Sequence, residues 1–136
     1  MGSIVIDISK LAELDQDKPV VMLNLLRYRD QADFPEGFVG EPCSGSEAYG
    51  MYAKATMPLV EKVPVKIVYA GHAVADLIMT ADEHWDDILI VEYPSVSSFI
   101  ALMNNPEYQK TLYLRTAALS SSRLIAMQDG LKAQLL

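Results

Sequence analysis

The sequence predicts an α+β domain whose elements follow the order strand, helix, strand, strand, helix, strand. Two segments with apolar residues at helical spacing separate the first strand from the second and the third from the fourth. The apolar segments of strand length cover residues 19–28, 65–79, 86–93 and 122–128. This order is that of the ferredoxin-like fold, an antiparallel four-stranded sheet with both helices on one face. The 136 residues are expected to form a single domain.

The first third of the chain is predicted to hold a short helix, a strand and a long loop. Asp7 can cap a helix over residues 7–14, because its carboxylate can accept from the free N–H groups of the first turn. The strand over residues 19–28 is apolar on both faces, which indicates that both faces are covered. The loop 29–44 contains two prolines and two glycines, and ordered connections of this length often serve function or partner contact.

The middle of the chain is predicted to be a helix followed by a strand. Ser46 can cap a helix that runs to about residue 63. Pro58 is expected to kink or divide this helix, because its ring removes one backbone hydrogen bond. Residues 65–79 have strand character throughout, so the second strand is predicted to be long.

The last third is predicted to complete the sheet. A strand over residues 86–93 leads to a helix that Ser95 can cap. Asn105 and Pro106 should interrupt this helix and start a second piece, since proline is well tolerated at a first helical position. Residues 122–128 form the final predicted strand.

Both faces of the predicted sheet carry apolar side chains. Met22 and Leu26 lie on one face of the first strand, and Leu23 and Leu25 lie on the other. Helices can cover only one face of a ferredoxin-like sheet. A second copy of the sheet is the simplest cover for the other face, which predicts a homodimer.

The composition argues against several classes of partner. The net charge is −7, and a non-specific nucleic-acid binder or a binder of anionic membranes needs a basic face. No apolar run approaches the roughly 20 residues of a membrane span. A single cysteine, Cys43, precludes an internal disulfide and fits a reducing compartment, so we expect a cytoplasmic protein.

Two motifs in the last third resemble a known family. The segment Val91-Glu92-Tyr93-Pro94-Ser95, then Asn105-Pro106-Glu107-Tyr108-Gln109 and Arg115, is similar to the family called domain of unknown function 1330. Residues 69–72 resemble that family's weaker glycine motif, whereas the loop 29–44 departs from its compact members. The resemblance implies a dimeric α+β barrel, a superfamily that includes cofactor-free monooxygenases, haem-degrading monooxygenases and isomerases. The family has no settled activity, so the resemblance assigns no catalytic residue.

Five side chains are candidates for a site. As structural residues, His72 would be a hydrogen-bonded strand histidine, Asn24 would bond across the sheet, and Arg115 would pair with Glu92 or Glu107. As functional groups, the histidine would be a general base, the amide and guanidinium would stabilise negative charge, and the tyrosines would shape a pocket. The candidates are His72 and Asn24 as catalytic residues, and Arg115, Tyr108 and Tyr93 as ligand-binding residues.

Three functions remain open at this stage. The first is a cofactor-independent oxygenase or isomerase that acts on a small aromatic or conjugated substrate. The second is a non-catalytic module that binds a small hydrophobic molecule, and the third is a dimer that contacts another partner through the loop 29–44. No cofactor is predicted, because nucleotide-binding and haem-binding patterns are absent from the sequence. No metal site is predicted either, because His84, Asp86 and Asp87 lack a spacing that would bring them together.

Overall fold

Four strands form one antiparallel sheet in the computed structural model, which describes residues 5–135. The strands run in the spatial order β2-β3-β1-β4. Their bounds are Val20–Tyr28 for β1, Lys66–His72 for β2, Asp87–Tyr93 for β3 and Leu119–Met127 for β4. The predicted ferredoxin-like arrangement is confirmed.

The helices follow the predicted order, but the helical connection between β3 and β4 has three segments where two were expected. The helix between β3 and β4 consists of three segments, because Asn105-Pro106 and then Thr111 interrupt it. The helices are α1 Gly45–Lys62, α2 Val96–Asn104, α3 Pro106–Gln109, α4 Leu112–Ala118 and α5 Leu131–Leu135, with a 3-10 helix at Ile8–Leu11. Among the described residues, none of these helices is long and apolar enough to cross a membrane.

The strand register separates the two faces of the sheet. Met22 lies opposite Val91, and both belong to a core that includes Phe99 of α2. This face is therefore the one that the helices cover. Leu23 lies opposite Ile90 on the other face, which carries partly exposed apolar side chains.

Helix α1 differs from its prediction at the start and at the proline. Its cap is Ser44 rather than Ser46, and Ser44 forms a capping box with Glu47. Pro58 lies inside one continuous helix and does not divide it. Pro58 and Lys54 are exposed, so water can bond the Lys54 carbonyl that has lost its N–H partner.

Strand β2 ends at His72, seven residues before the predicted end. Within residues 5–135, β2 pairs with β3 alone, and β3 begins at Asp87 directly opposite His72. The described sheet therefore offers no strand with which the residues after His72 could pair. The chain leaves the sheet after Ala73, whose N–H donates to the Asp86 carbonyl at 2.9 Å. In the segment that follows, Val74, Leu77 and Ile78 are 92%, 90% and 95% exposed.

Candidate ligand-binding site

A cavity of about 410 Å³ lies between the helix-covered face of the sheet and helices α1, α2 and α4. Its walls are mostly apolar, which is typical of sites for small organic molecules. The apolar wall includes Met22, Val60, Leu89, Val91, Phe99 and Met103. The cavity lies within one protomer.

Four of the five side chains predicted from the sequence line this cavity: Asn24, Tyr93, Tyr108 and Arg115. They come from β1, β3, α3 and α4, so the fold brings together residues that are distant in sequence. The fifth, His72, does not line it.

Arg115 is a buried cation in the wall of this cavity. Its side chain belongs to α4 and the residue is only 6% exposed. Neither predicted ion pair forms: Glu107 pairs with Lys110 at 3.0 Å, and Glu92 lies opposite Val21 on the far face of the sheet. Across residues 5–135, no salt bridge within 4.0 Å involves this guanidinium. A buried charge of this kind is costly unless something compensates it.

Tyr52 and Tyr108 form a hydroxyl pair in the cavity wall. Their oxygens are 2.6 Å apart, and burial raises the pKa of both hydroxyls. Both phenols therefore stay protonated at neutral pH and can donate hydrogen bonds. Burial also raises the pKa of the Tyr93 hydroxyl. The Tyr93 ring packs edge-on against the Phe99 ring, with 4.9 Å between the ring centroids.

Tyr49 connects the tyrosine pair to the cation. The centroid of its ring lies 5.3 Å from the centroid of the Tyr52 ring. Burial raises the pKa of the Tyr49 hydroxyl, and the nearby Arg115 cation partly opposes that rise. Tyr49 and Tyr52 were not predicted as site residues, because their helical spacing in α1 is equally typical of a packed core.

Asn24 forms a hydrogen bond across the sheet, which is the structural role that the sequence suggested for it. Its side-chain amide donates to the Leu89 carbonyl of β3 at 3.2 Å and to the Met22 carbonyl at 3.5 Å. Both donors point to protein acceptors, so the side-chain oxygen is the atom best placed to meet a ligand.

His72 lies elsewhere than expected. We expected it in one site with the other four candidates, but its side chain is 86% exposed and does not line their cavity. It shares the helix-covered face with Asp87 and Leu26, since these three residues lie opposite one another in register. Asp87 accepts a hydrogen bond from the imidazole and raises the pKa of His72 through that bond and its charge.

The cavity combines hydrogen-bond donors with a mostly apolar lining. One guanidinium and several phenol hydroxyls supply donors, and Glu61 is the one carboxylate among the lining residues. Within the part of the chain that the structure describes, no three His, Cys, Asp or Glu side chains are grouped so that they could hold a metal ion.

The sheet order and the helix-covered cavity define a protein of the ferredoxin-like class. Residues 43–129 match the family model for the domain of unknown function DUF1330. The chain belongs to this family, and the resemblance inferred from its last third is confirmed. No curated protein matches the chain.

Solved structures agree with this assignment. The chain is similar to RPA0582, a protein of unknown function from Rhodopseudomonas palustris, with 34% identity and a TM-score of 0.84 over 95% of this chain and 98% of that one. A dimeric ferredoxin-like protein of unknown function from Bacteroides fragilis is 18% identical, with a TM-score of 0.51 over 82% of this chain and 96% of that one. The hydroxynitrile lyase of Passiflora edulis is 9% identical, with a TM-score of 0.55 over 84% and 95%. The last two likenesses show the fold alone.

Proposed function

We propose that this protein binds a small aromatic or conjugated anion in the cavity between its sheet and helices. The observation that carries this proposal is Arg115, a buried guanidinium in a mostly apolar cavity, with no carboxylate oxygen within 4.0 Å of it among the described residues. A ligand with one carboxylate or enolate group would compensate this charge.

The rest of the cavity fits the remainder of such a ligand. Phenol and phenyl rings of Tyr49, Tyr52, Tyr93, Phe99 and Tyr108 line it, and aromatic walls favour flat or conjugated groups. The Tyr52–Tyr108 hydroxyl pair lies in the same wall. One hydroxyl donates to the other, which leaves one O–H as a donor for a second oxygen of the ligand.

A matched pair of probes tests the proposal by calorimetry: 3-phenylpropionate and its neutral amide, 3-phenylpropanamide. Hydrogen bonds to charged groups contribute about 1.5–3 kcal/mol, so the carboxylate should bind more tightly by at least about tenfold. Arg115→Met should remove that preference, whereas Arg27→Met, which changes an exposed arginine outside the cavity, should retain it. Equal binding of the two probes, or no binding of either, would contradict the proposal.

An enzymatic role is the second candidate, and the donors around Arg115 favour it. A cofactor-independent isomerase or oxygenase must stabilise negative charge that develops on a substrate oxygen. Arg115 and the protonated tyrosines provide such donors. An isomerase needs only proton transfer in addition, whereas an oxygenase also consumes dioxygen from solution.

We also propose that the protein acts as a homodimer through the outer face of its sheet. On that face Tyr69, Ile125 and Met127 are 64%, 47% and 36% exposed. Exposed apolar surface of this kind is typical of a protein–protein interface. The structurally similar ferredoxin-like protein from Bacteroides fragilis is described as dimeric.

A further inference from the structure

A second cavity, of about 330 Å³, adjoins the 410 Å³ cavity that Arg115 lines, which is called the Arg115 cavity below. His72 lies in the wall of this second cavity. Its lining includes Tyr28, His72 and Asp87. Tyr49 and Leu89 line both cavities, so the two share a wall. Tyr49 thus lines one cavity together with Arg115 and the other together with Asp87.

Asp87 holds its neighbours in a fixed arrangement. One carboxylate oxygen accepts from the Tyr28 hydroxyl at 2.6 Å, and the other lies 2.6 Å from Nδ1 of His72. Tyr28 is fixed in turn, because its backbone N–H donates to the Asp86 carboxylate at 2.8 Å. A carboxylate on Nδ1 selects the tautomer whose Nε2 is free to take a proton.

We propose that a ligand held by Arg115 extends past Tyr49 and Leu89 into this second cavity, where His72 transfers protons to and from it. Asp87 and Tyr28 are the positioning residues of His72. This inference rests on the proposed binding function and adds a reaction to it. The substrate class is an enolisable carbonyl compound with an adjacent carboxylate, such as an aromatic 2-oxo acid.

The reaction is a keto–enol isomerisation that needs no other reactant. Nε2 of His72 takes the proton from the carbon beside the carbonyl, and the C–H electrons form the new C=C bond. The C=O π electrons move to the oxygen, where the Arg115 guanidinium and the Tyr49 hydroxyl stabilise the enolate. The imidazolium then returns its proton to that oxygen or to carbon, which regenerates the neutral base.

The pH dependence of the reaction follows from the groups that face His72. These are Asp87 of β3, Tyr28 of β1 and Tyr49 of α1. Asp87 raises the imidazole pKa above its ordinary value of 6.5. Because the base must be neutral, the rate should rise as the pH rises through this elevated pKa. Asp87→Asn should lower both the rate and the midpoint of the profile.

Phenylpyruvate is the test substrate, because it combines an aromatic ring, a carboxylate and an enolisable methylene group. Its tautomerisation is followed by ultraviolet absorbance, and its binding is measured separately by calorimetry. General-base catalysis contributes about 10²–10⁴-fold, so His72→Gln should slow the reaction at least ~100-fold and leave binding within about twofold. His84→Gln, at the only other histidine, is the matched control and should react at the wild-type rate.

Nitrogen NMR of the imidazole provides a second readout. His72 should carry its proton on Nδ1 when neutral, and Tyr28→Phe or Asp87→Asn should weaken that preference. Binding of phenylpyruvate without acceleration, or acceleration that survives His72→Gln, would overturn this inference and leave the proposed binding function intact. Absence of binding would overturn both.

Discussion

Arg115 is a buried charge with no carboxylate within 4.0 Å among the described residues. It is buried beside phenol rings, and its two predicted carboxylate partners are engaged elsewhere or lie on the far face. Proteins retain such groups where binding requires them, at a cost in stability. The cost should be measurable without knowledge of the natural ligand.

Arg115→Met should therefore stabilise the unliganded protein. Replacement of a buried ion by an apolar side chain of similar length is often favourable by about 1–4 kcal/mol, and we expect a gain of about 1–3 kcal/mol in the free energy of unfolding. Urea denaturation followed by circular dichroism measures it. Arg27→Met, at an exposed position, should change stability by less than about 0.5 kcal/mol. A loss of more than about 1 kcal/mol in Arg115→Met would indicate that Arg115 is a structural residue.

The sequence identifies the site residues that break a pattern, and it misses those that fit one. Asn24 in an apolar strand and Arg115 on a partly apolar helix face are conspicuous for their polarity. Tyr49 and Tyr52 follow the ordinary spacing of a core-facing helix, so nothing distinguishes them until the cavity is seen. The surroundings of His72 depend on where β2 ends, and local sequence does not determine that.

At the scale of elements, helix α1 is anchored by an unusually close approach at its first residue. A Cβ atom on Gly45 would lie 2.3 Å from the Arg29 carbonyl oxygen and 2.5 Å from that of Ala118. The Gly45 N–H also donates to the Arg29 carbonyl at 3.0 Å. Glycine at this position thus allows α1, the end of β1 and the end of α4 to meet.

Gly45→Ala should be strongly destabilising, and Gly50→Ala should not. The atoms that the new Cβ of Gly45→Ala would meet are backbone atoms, which cannot rotate away, so we expect a loss of at least about 3 kcal/mol. Gly50 lies in the same helix with nothing within 4 Å of its Cβ position, and alanine there should add about 0.5–1 kcal/mol. Thermal denaturation of the two variants makes the comparison. Equal effects would show that the junction can relax.

The helix start illustrates a signal that was present in the sequence. Ser44 is followed three residues later by Glu47, the spacing of a capping box, whereas Ser46 is followed by Tyr49. The capping box correctly marks the helix start. The overlong prediction for β2 has a different origin: residues 73–79 are apolar enough for a strand, but no partner strand extends beside them.

For the whole molecule, the two faces of β3 should respond differently to a charge. Val91 faces the helices and is buried, whereas Ile90 lies on the outer face opposite Leu23 and Tyr69. The outer face is the one that we propose to meet a second copy.

Val91→Asp should abolish folding, because an unpaired buried carboxylate costs several kcal/mol, a large share of the roughly 5–15 kcal/mol that stabilises a domain. Ile90→Asp should leave the protomer folded but monomeric. Sedimentation velocity together with circular dichroism separates the two outcomes, and the wild type should sediment as a dimer. A well-folded wild-type monomer at micromolar concentration would exclude the proposed dimer.

The position of β1 at the centre of the sheet has a kinetic consequence. Val21 pairs on one side with Glu92 and on the other with Met127, so neither neighbour is local in sequence. Two long loops must close before the central strand is paired on both edges, and domains with such non-local contacts fold more slowly than helical bundles of similar size. Until β4 docks, β1 presents a long apolar edge on which another chain could pair. The order in which the strands assemble should therefore decide whether a newly made chain folds or aggregates.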